Sequence, residues 1–312
     1  MMTNSLAATI DRQLRSRFRS PAYWIAATVP VLLISLLLWQ TARATDSPAT
    51  AMFLAILSAL WIGGSSCIRE IVDERKLVQR DPHLSLLAYA VAKIIHASLL
   101  AAGQSAILTT FLLFTDVVGL PVVPLWTILF LTTLAGSMLA MILSALCNEA
   151  ATALAWFPLL LVPQVVFGGF LFPYGVTQPF SLDSGTSEVT VMPEPLIRKE
   201  VTNPLLRAAG ALCVSRWALE SYAAEVFEQD LAGDDNLQEA VQVAFFMPLT
   251  LVDLPASERL LEYLSERGRG RADTPPELDA GSGRYLGVLA LFVAAQAALV
   301  AIILPIRDPR RA

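Results

Sequence analysis

The stretch 61-WIGGSSCIREIVDERKLVQRDPHLSLLAYAVA-92 decides how the chain is organised. An apolar run ends at Cys67, a dense charged segment follows from Arg69, and apolar sequence resumes at Leu86. Apolar runs interrupted by a short charged hairpin are what a chain shows when it crosses a bilayer, turns in water and crosses back.

The rest of the sequence repeats this pattern. Apolar residues make up 55% of the 312 positions, and the mean hydropathy is +0.58. They fall in long blocks, unlike the stripes of a soluble domain. Crossing roughly 30 Å of hydrocarbon takes about 20 apolar residues. Six runs qualify: Tyr23 to Trp39, Ala51 to Cys67, Leu86 to Phe114, Leu125 to Leu146, Ala151 to Phe172 and Tyr285 to Ile306. The expected fold is all-α and polytopic, with six transmembrane helices and both ends on one side.

Arginine and lysine choose the side, because short cytoplasmic loops retain them. Arg12, Arg15, Arg17 and Arg19 precede the first run; Arg69, Arg75, Lys76 and Arg80 separate the second from the third; Arg307, Arg310 and Arg311 follow the last. The short loops on the other side hold only Arg43. Both termini are expected in the cytoplasm, in an inner (plasma) membrane. Ala42-Arg43-Ala44 has the small-residue pattern of a signal-peptidase site, but the preceding run is too long for the apolar region of a signal peptide.

Four regions are expected: an amphipathic cytoplasmic connecting helix over 1–20, five spans over 21–173 with the charged loop 69–85, an extracytoplasmic segment over 174–283, and a sixth span with a basic tail over 284–312. In the first, Leu6, Ile10, Leu14 and Phe18 recur at four-residue spacing with arginines between them. Within the fifth span, Pro158 and Pro163 each remove a backbone donor, and Gln164 adds a polar side chain; a broken membrane helix needs protein or a cavity to satisfy the freed groups. Between Tyr174 and Gly283, acidic residues outnumber basic ones by 18 to 8, so this segment is acidic while the rest of the chain is net basic and the overall charge is only -5. In that segment Leu205 to Phe227 has helical spacing.

The missing chemistry is equally informative. No GxxxxGK[ST] phosphate loop is present, so ATP hydrolysis is not expected on this chain. His83 and His96 are far apart and lack a nucleophile; His96 reads as a packed, hydrogen-bonded membrane histidine. Cys67, Cys147 and Cys213 form neither a disulfide framework nor a metal spacing. No carboxylate stands near the centre of a span, which disfavours an ion-driven carrier.

Two blocks then carry a resemblance. The first holds Trp61, Gly63, Arg69, Glu70, Ile71, Glu74, Arg75, Tyr89 and Lys93; the second holds Val162, Pro163, Gln164, Phe167, Gly169, Phe172 and Pro173. With Asn148-Glu149-Ala150 and Ser215-Arg216-Trp217-Ala218-x-Glu220, they make the chain resemble type-2 ABC transporter permeases, in particular the membrane half of the G subfamily. It departs from them at Arg80-Asp81 and Pro82-His83, in the lack of a fused ATPase domain in this sequence, and in a longer outer segment.

The resemblance implies a permease subunit of an ATP-driven exporter of a hydrophobic or amphipathic substrate. It implies alternating access driven by a separate ABC ATPase subunit, which would hold the ATP and magnesium; this chain itself would carry no cofactor. Arg69, Glu70, Asp73, Glu74, Arg75, Arg80 and Glu149 would form the contact with the ATPase. Phe53, Leu57, Trp61, Gln164, Phe167 and Phe170 would line the substrate path, in a homodimer or heterodimer with a second permease subunit embedded in lipid. The alternative is a membrane anchor or assembly scaffold that recruits an extracytoplasmic protein partner through its acidic outer segment. Neither reading involves nucleic acid.

Overall fold

The structure, a computed structural model, describes residues 19, 21–45, 48–80, 85–115, 118–168, 180–182, 189–191, 204–230 and 282–306. The expected amphipathic helix at the N-terminus, Phe170 and the basic tail lie outside these residues. The described elements are α1 (Pro21–Thr45), α2 (Pro48–Cys67), α3 (Glu70–Arg80), α4 (Leu86–Leu113), α5 (Val122–Leu146), α6 (Ala150–Val166), β1 (Phe180–Leu182), β2 (Val189–Val191), α7 (Pro204–Ala211), α8 (Val214–Asp230) and α9 (Ser282–Ile306).

Continuous apolar sequence makes helices here because lipid offers no partner for backbone N–H and C=O groups, which must bond within the segment. Proline opens α1, α2 and α7, where its missing N–H costs nothing and its fixed φ suits the first turn. Ser85 opens α4, its side chain accepting from the Ala88 amide at 3.4 Å. Five stretches are long and apolar enough to cross a membrane: Tyr23–Ala44, Thr50–Arg75, Leu86–Leu113, Val122–Leu146 and Gly283–Pro305. The protein is a helical, multi-pass membrane protein.

The fifth expected span is shorter than the sequence suggests. Helix α6 has 17 residues and passes through both Pro158 and Pro163 before ending at Val166. Each proline removes one donor and crowds the carbonyl four residues back, without breaking the helix at either position.

The chain divides into two compact units, Met1–Gln164 with Val288–Ala312, and Val165–Gly287. In the first, α2 and α5 form the centre, with α4 and α1 packed around them and α3 set against α5. The α2–α5 contact is made backbone to backbone. A methyl group at Gly63 would overlap the Thr133 carbonyl oxygen, and one at Gly136 would overlap the Leu60 carbonyl oxygen. These two reciprocal approaches lie one turn apart, and small residues are how membrane helices come close when no hydrophobic effect drives them together. Phe157 of α6 likewise fills the hollow over Gly64, its ring 5.6 Å from that of Trp61.

Polar side chains pin the bundle at fixed heights. The Tyr23 hydroxyl lies 2.7 Å from His96 Nε2, as the reading of His96 as a hydrogen-bonded membrane histidine requires. Gln104 on α4 donates to the Ala27 carbonyl of α1 at 3.3 Å and to the Ser66 hydroxyl of α2 at 2.8 Å. Pro30 denies the neighbouring Ala26 carbonyl its usual donor, so Gln104 ties α1 to the bundle where its ladder is weakest. Both contacts run in the same direction along α1 and α4, so the two helices are parallel. That is the relation of first and third spans in an alternately threaded bundle.

The second unit holds a small antiparallel pair, with Phe180 opposite Val191 and Leu182 opposite Val189, followed by α7 and α8. The helical spacing from Leu205 to Phe227 predicts one helix, but two are present. Helix α7 closes with tight bonds from the Leu212 amide to Ala208 and Ala209 and from the Cys213 amide to Gly210. The Trp217 indole of α8 then caps the free Ala211 carbonyl at 2.9 Å. Arg216 and Glu220 pair one turn apart on α8 at 2.9 Å, and both are buried.

Candidate coupling site

The charged hairpin of the opening sequence folds as α3, and it is not a freely solvated arm. Ile71 and Val72 are buried while Asp73 is exposed, so the helix presents one face to the bundle. On that face Glu70 and Glu74, one turn apart, point at the same side chain on α4. Lys93 Nζ lies 2.5 Å from Glu70 Oε2 and 2.9 Å from Glu74 Oε1. The Tyr89 hydroxyl, one turn before Lys93, donates to Glu74 Oε2 at 3.0 Å. Lys93 is 1% exposed, and an ammonium buried that far persists only when paired and hydrogen-bonded. Two carboxylates against one ammonium leave an excess negative charge, which the tyrosine hydroxyl helps to carry.

The other attachment of α3 is to the end of α5. The Ser144 hydroxyl accepts from the backbone amides of Ile71 at 3.3 Å and Val72 at 3.1 Å. In return the Arg75 guanidinium donates to the Ala145 carbonyl at 2.7 Å and to Asn148 Oδ1 at 3.1 Å.

Of the residues expected at an ATPase contact, Glu70, Glu74 and Arg75 turn inward and fasten α3, whereas Arg69, Asp73 and Glu149 are exposed. Arg80 closes α3. Glu149 does not join the cluster; its carbonyl accepts from the Ala153 amide at the start of α6, and its neighbour Asn148 makes the contact with Arg75. The residues that complete the site without having been assigned to it are Lys93, Tyr89, Ser144 and Asn148. Lys93 carried its own signal, being a charge about two turns inside an apolar run, which demands a partner. Ser144 carried none, since a serine in a membrane helix is commonplace.

The expected substrate-path residues are spread over the bundle. On α2, Phe53 is buried, Leu57 is half-buried and Trp61 is 43% exposed, so one stripe at four-residue spacing runs from the core outward. Gln164 is buried near the end of α6, and Phe167 is half-buried just beyond it. Among the described residues no group of three or more His, Cys, Asp or Glu side chains could hold a metal ion.

A family model described as ABC-2 type transporter matches residues 4–182, which take in α1 through β1 and the whole of the site around α3. The chain belongs to the ABC-2 type transporter family. A protein of Mycobacterium tuberculosis (strain ATCC 25618 / H37Rv), named ABC transporter ATP-binding/permease protein Rv1747, is 27% identical to it over 140 residues. That stretch is 42% of this chain and 16% of the relative, so the chain spans a small part of the mycobacterial protein. Membership in the ABC-2 family accounts for the multi-pass helical architecture and for the transport-permease character of the chain.

Proposed function

We propose that this ABC-2 family chain is the permease subunit of an ATP-driven exporter for a hydrophobic or amphipathic substrate, worked by a separate ATPase subunit. The observation that carries the reading is the double attachment of α3. A short charged helix is fastened at one end to α5 and along one face to α4. Asp73 on it and Arg69 just before it are exposed. A helix held in this way passes a push to the bundle, where a flexible loop would absorb it. The printed name of the mycobacterial relative, which joins ATP-binding and permease, supports an ATPase as the source of that push.

In this mechanism ATP and magnesium bind on the partner, and closure of two ATPases drives the α3 helices of two permease subunits. The bundle, set in the cytoplasmic membrane with α3 facing the cytoplasm, switches from inward to outward opening. Phe53, Leu57, Trp61 and Gln164 face the substrate path between the two subunits. The exposed apolar residues Trp156, Leu159 and Val162 of α6 supply the apolar surface that such a pairing buries. Nothing in these side chains selects a particular substrate beyond its apolar character.

The test is extraction of the membrane protein in mild detergent followed by mass spectrometry of what stays bound. An ABC ATPase in that set is the expected result, and Glu74→Arg should then uncouple hydrolysis from the permease. Unchanged ATPase stimulation in Glu74→Arg removes α3 from the coupling path.

A second reading, a membrane scaffold acting through its outer part, draws on the residues Val165–Gly287 forming a compact unit of their own. Deletion of 174–283 separates the two. Efflux that survives the deletion makes the segment accessory, and an intact protein with no efflux under any condition favours the scaffold.

A further inference from the structure

Helix α3 begins without a cap of its own. Arg69 stands at the cap position, its carbonyl accepting from the Asp73 amide at 3.1 Å. An arginine side chain has donors and no acceptor, so it cannot satisfy the second and third amides of the helix as serine, threonine or aspartate would. Those amides belong to Ile71 and Val72, both buried, where a free N–H would be costly. Ser144, on a different helix, supplies the missing oxygen to both.

The opposite end of the contact mirrors this. The last carbonyls of α5 have no partner within the helix, and Arg75 of α3 donates to one of them, that of Ala145. Each helix therefore completes the other's terminus. Backbone groups take part in both directions, so one partner of each bond is fixed in place by its helix. The link from α3 to α4 is of another kind: Lys93, Glu70, Glu74 and Tyr89 reach across with flexible side chains, and an ion pair can follow movement by changing rotamers. Beyond Ser144, α5 lies backbone against backbone, at Gly63–Thr133 and Gly136–Leu60, on α2, the helix that carries Phe53, Leu57 and Trp61.

We propose that Ser144 is a positioning residue that makes α3 travel with α5, so that displacement of α3 is delivered through α5 to α2 while the Lys93 contact with α4 acts as the moving joint. The clamp is a property of the chain alone; that an ATPase supplies the displacement rests on the permease reading above.

Two measurements on the full chain separate these levels. The first is amide hydrogen exchange of a peptide spanning residues 69–75 in the purified protein. Ser144→Ala should raise exchange there roughly threefold to tenfold, the cost of about one net hydrogen bond, and Ser144→Thr, which keeps the hydroxyl, should restore it. Unchanged exchange in Ser144→Ala overturns the clamp.

The second measurement uses spin labels at the exposed positions Asp73, Leu146 and Leu87, in a chain with its three cysteines replaced by alanine and co-purified with its ATPase. On trapping with ATP and vanadate, the distance from 73 to 146 should hold while that from 73 to 87 changes. In Ser144→Ala both should change. A 73 to 146 distance that shifts as much as the other in the unsubstituted chain overturns the proposal. Failure of any ATPase to co-purify counts against the permease reading instead, and leaves the exchange result to decide the clamp.

Discussion

Lys93 on α4 and Glu70 on α3 form an ion pair of 2.5 Å with 1% and 7% of their side chains exposed, and Glu74 holds the same ammonium from one turn further along. One lysine thus carries the attachment of α3 to the third span. Lys93→Met should destabilise the protein by about 3–5 kcal/mol, because it leaves two carboxylates facing each other in a buried site. Glu74→Gln should cost less, since Glu74 is 18% exposed and Glu70 remains to pair with the lysine. Thermal unfolding in detergent, compared across the two variants, reads the order; an equal loss would contradict the central role of Lys93.

The α2–α5 contact predicts opposite outcomes for the same substitution at different glycines. Gly63→Ala and Gly136→Ala place a methyl group on a backbone carbonyl of the facing helix, which must move, at about 1–3 kcal/mol. Nothing lies within 4 Å of a methyl group at Gly103, so Gly103→Ala should be neutral or stabilising by up to about 1 kcal/mol. Melting temperatures of the three variants check this directly.

Glu220 makes stability depend on pH. It is 3% exposed, and burial pushes its carboxyl up from 4.5 to about 7, with the Arg216 charge and hydrogen bond opposing the rise. A carboxyl whose folded value is raised favours the folded state when protonated. Its contribution is fully present below 4.5 and is lost as pH climbs through about 7. The melting temperature should therefore fall between those two pH values, and Glu220→Gln should flatten that fall. Arg216→Gln, by removing the opposing charge, should move the midpoint higher. A melting temperature that rises across the same interval would contradict the assignment.

Phe157 of α6 packs its ring on α2. It is 3% exposed and sits in the hollow over Gly64, against Trp61. Phe157→Ala should cost about 3–5 kcal/mol. Limited proteolysis within α6 should quicken in that variant, and an unchanged rate would show that the ring does not hold the helix in place.

The spans were legible because bilayer thickness imposes a length on apolar runs that few other structures share. Where that rule was strained, at the two prolines of α6, the described helix is shorter than the apolar run. The charged hairpin was equally visible, and so was the candidacy of Glu70, Glu74 and Arg75, since charged residues between spans stand out by composition alone. Their direction was not visible. Sequence distinguishes a solvated charge from a buried one only through its partner, and the partners here lie 23 residues away for Glu70 and about three times that for the Arg75 and Ser144 contacts.

The sequence by itself determined that this chain crosses a membrane several times and carries a charged helix between its second and third spans, because local composition controls whether a segment enters lipid. Only the tertiary structure decided what that helix is fastened to. Ser144 meets Ile71 and Val72, Lys93 meets Glu70, and Gly63 meets Thr133 because the bundle brings distant turns to one height. Such pairings depend on helix register and crossing geometry, which no local pattern encodes.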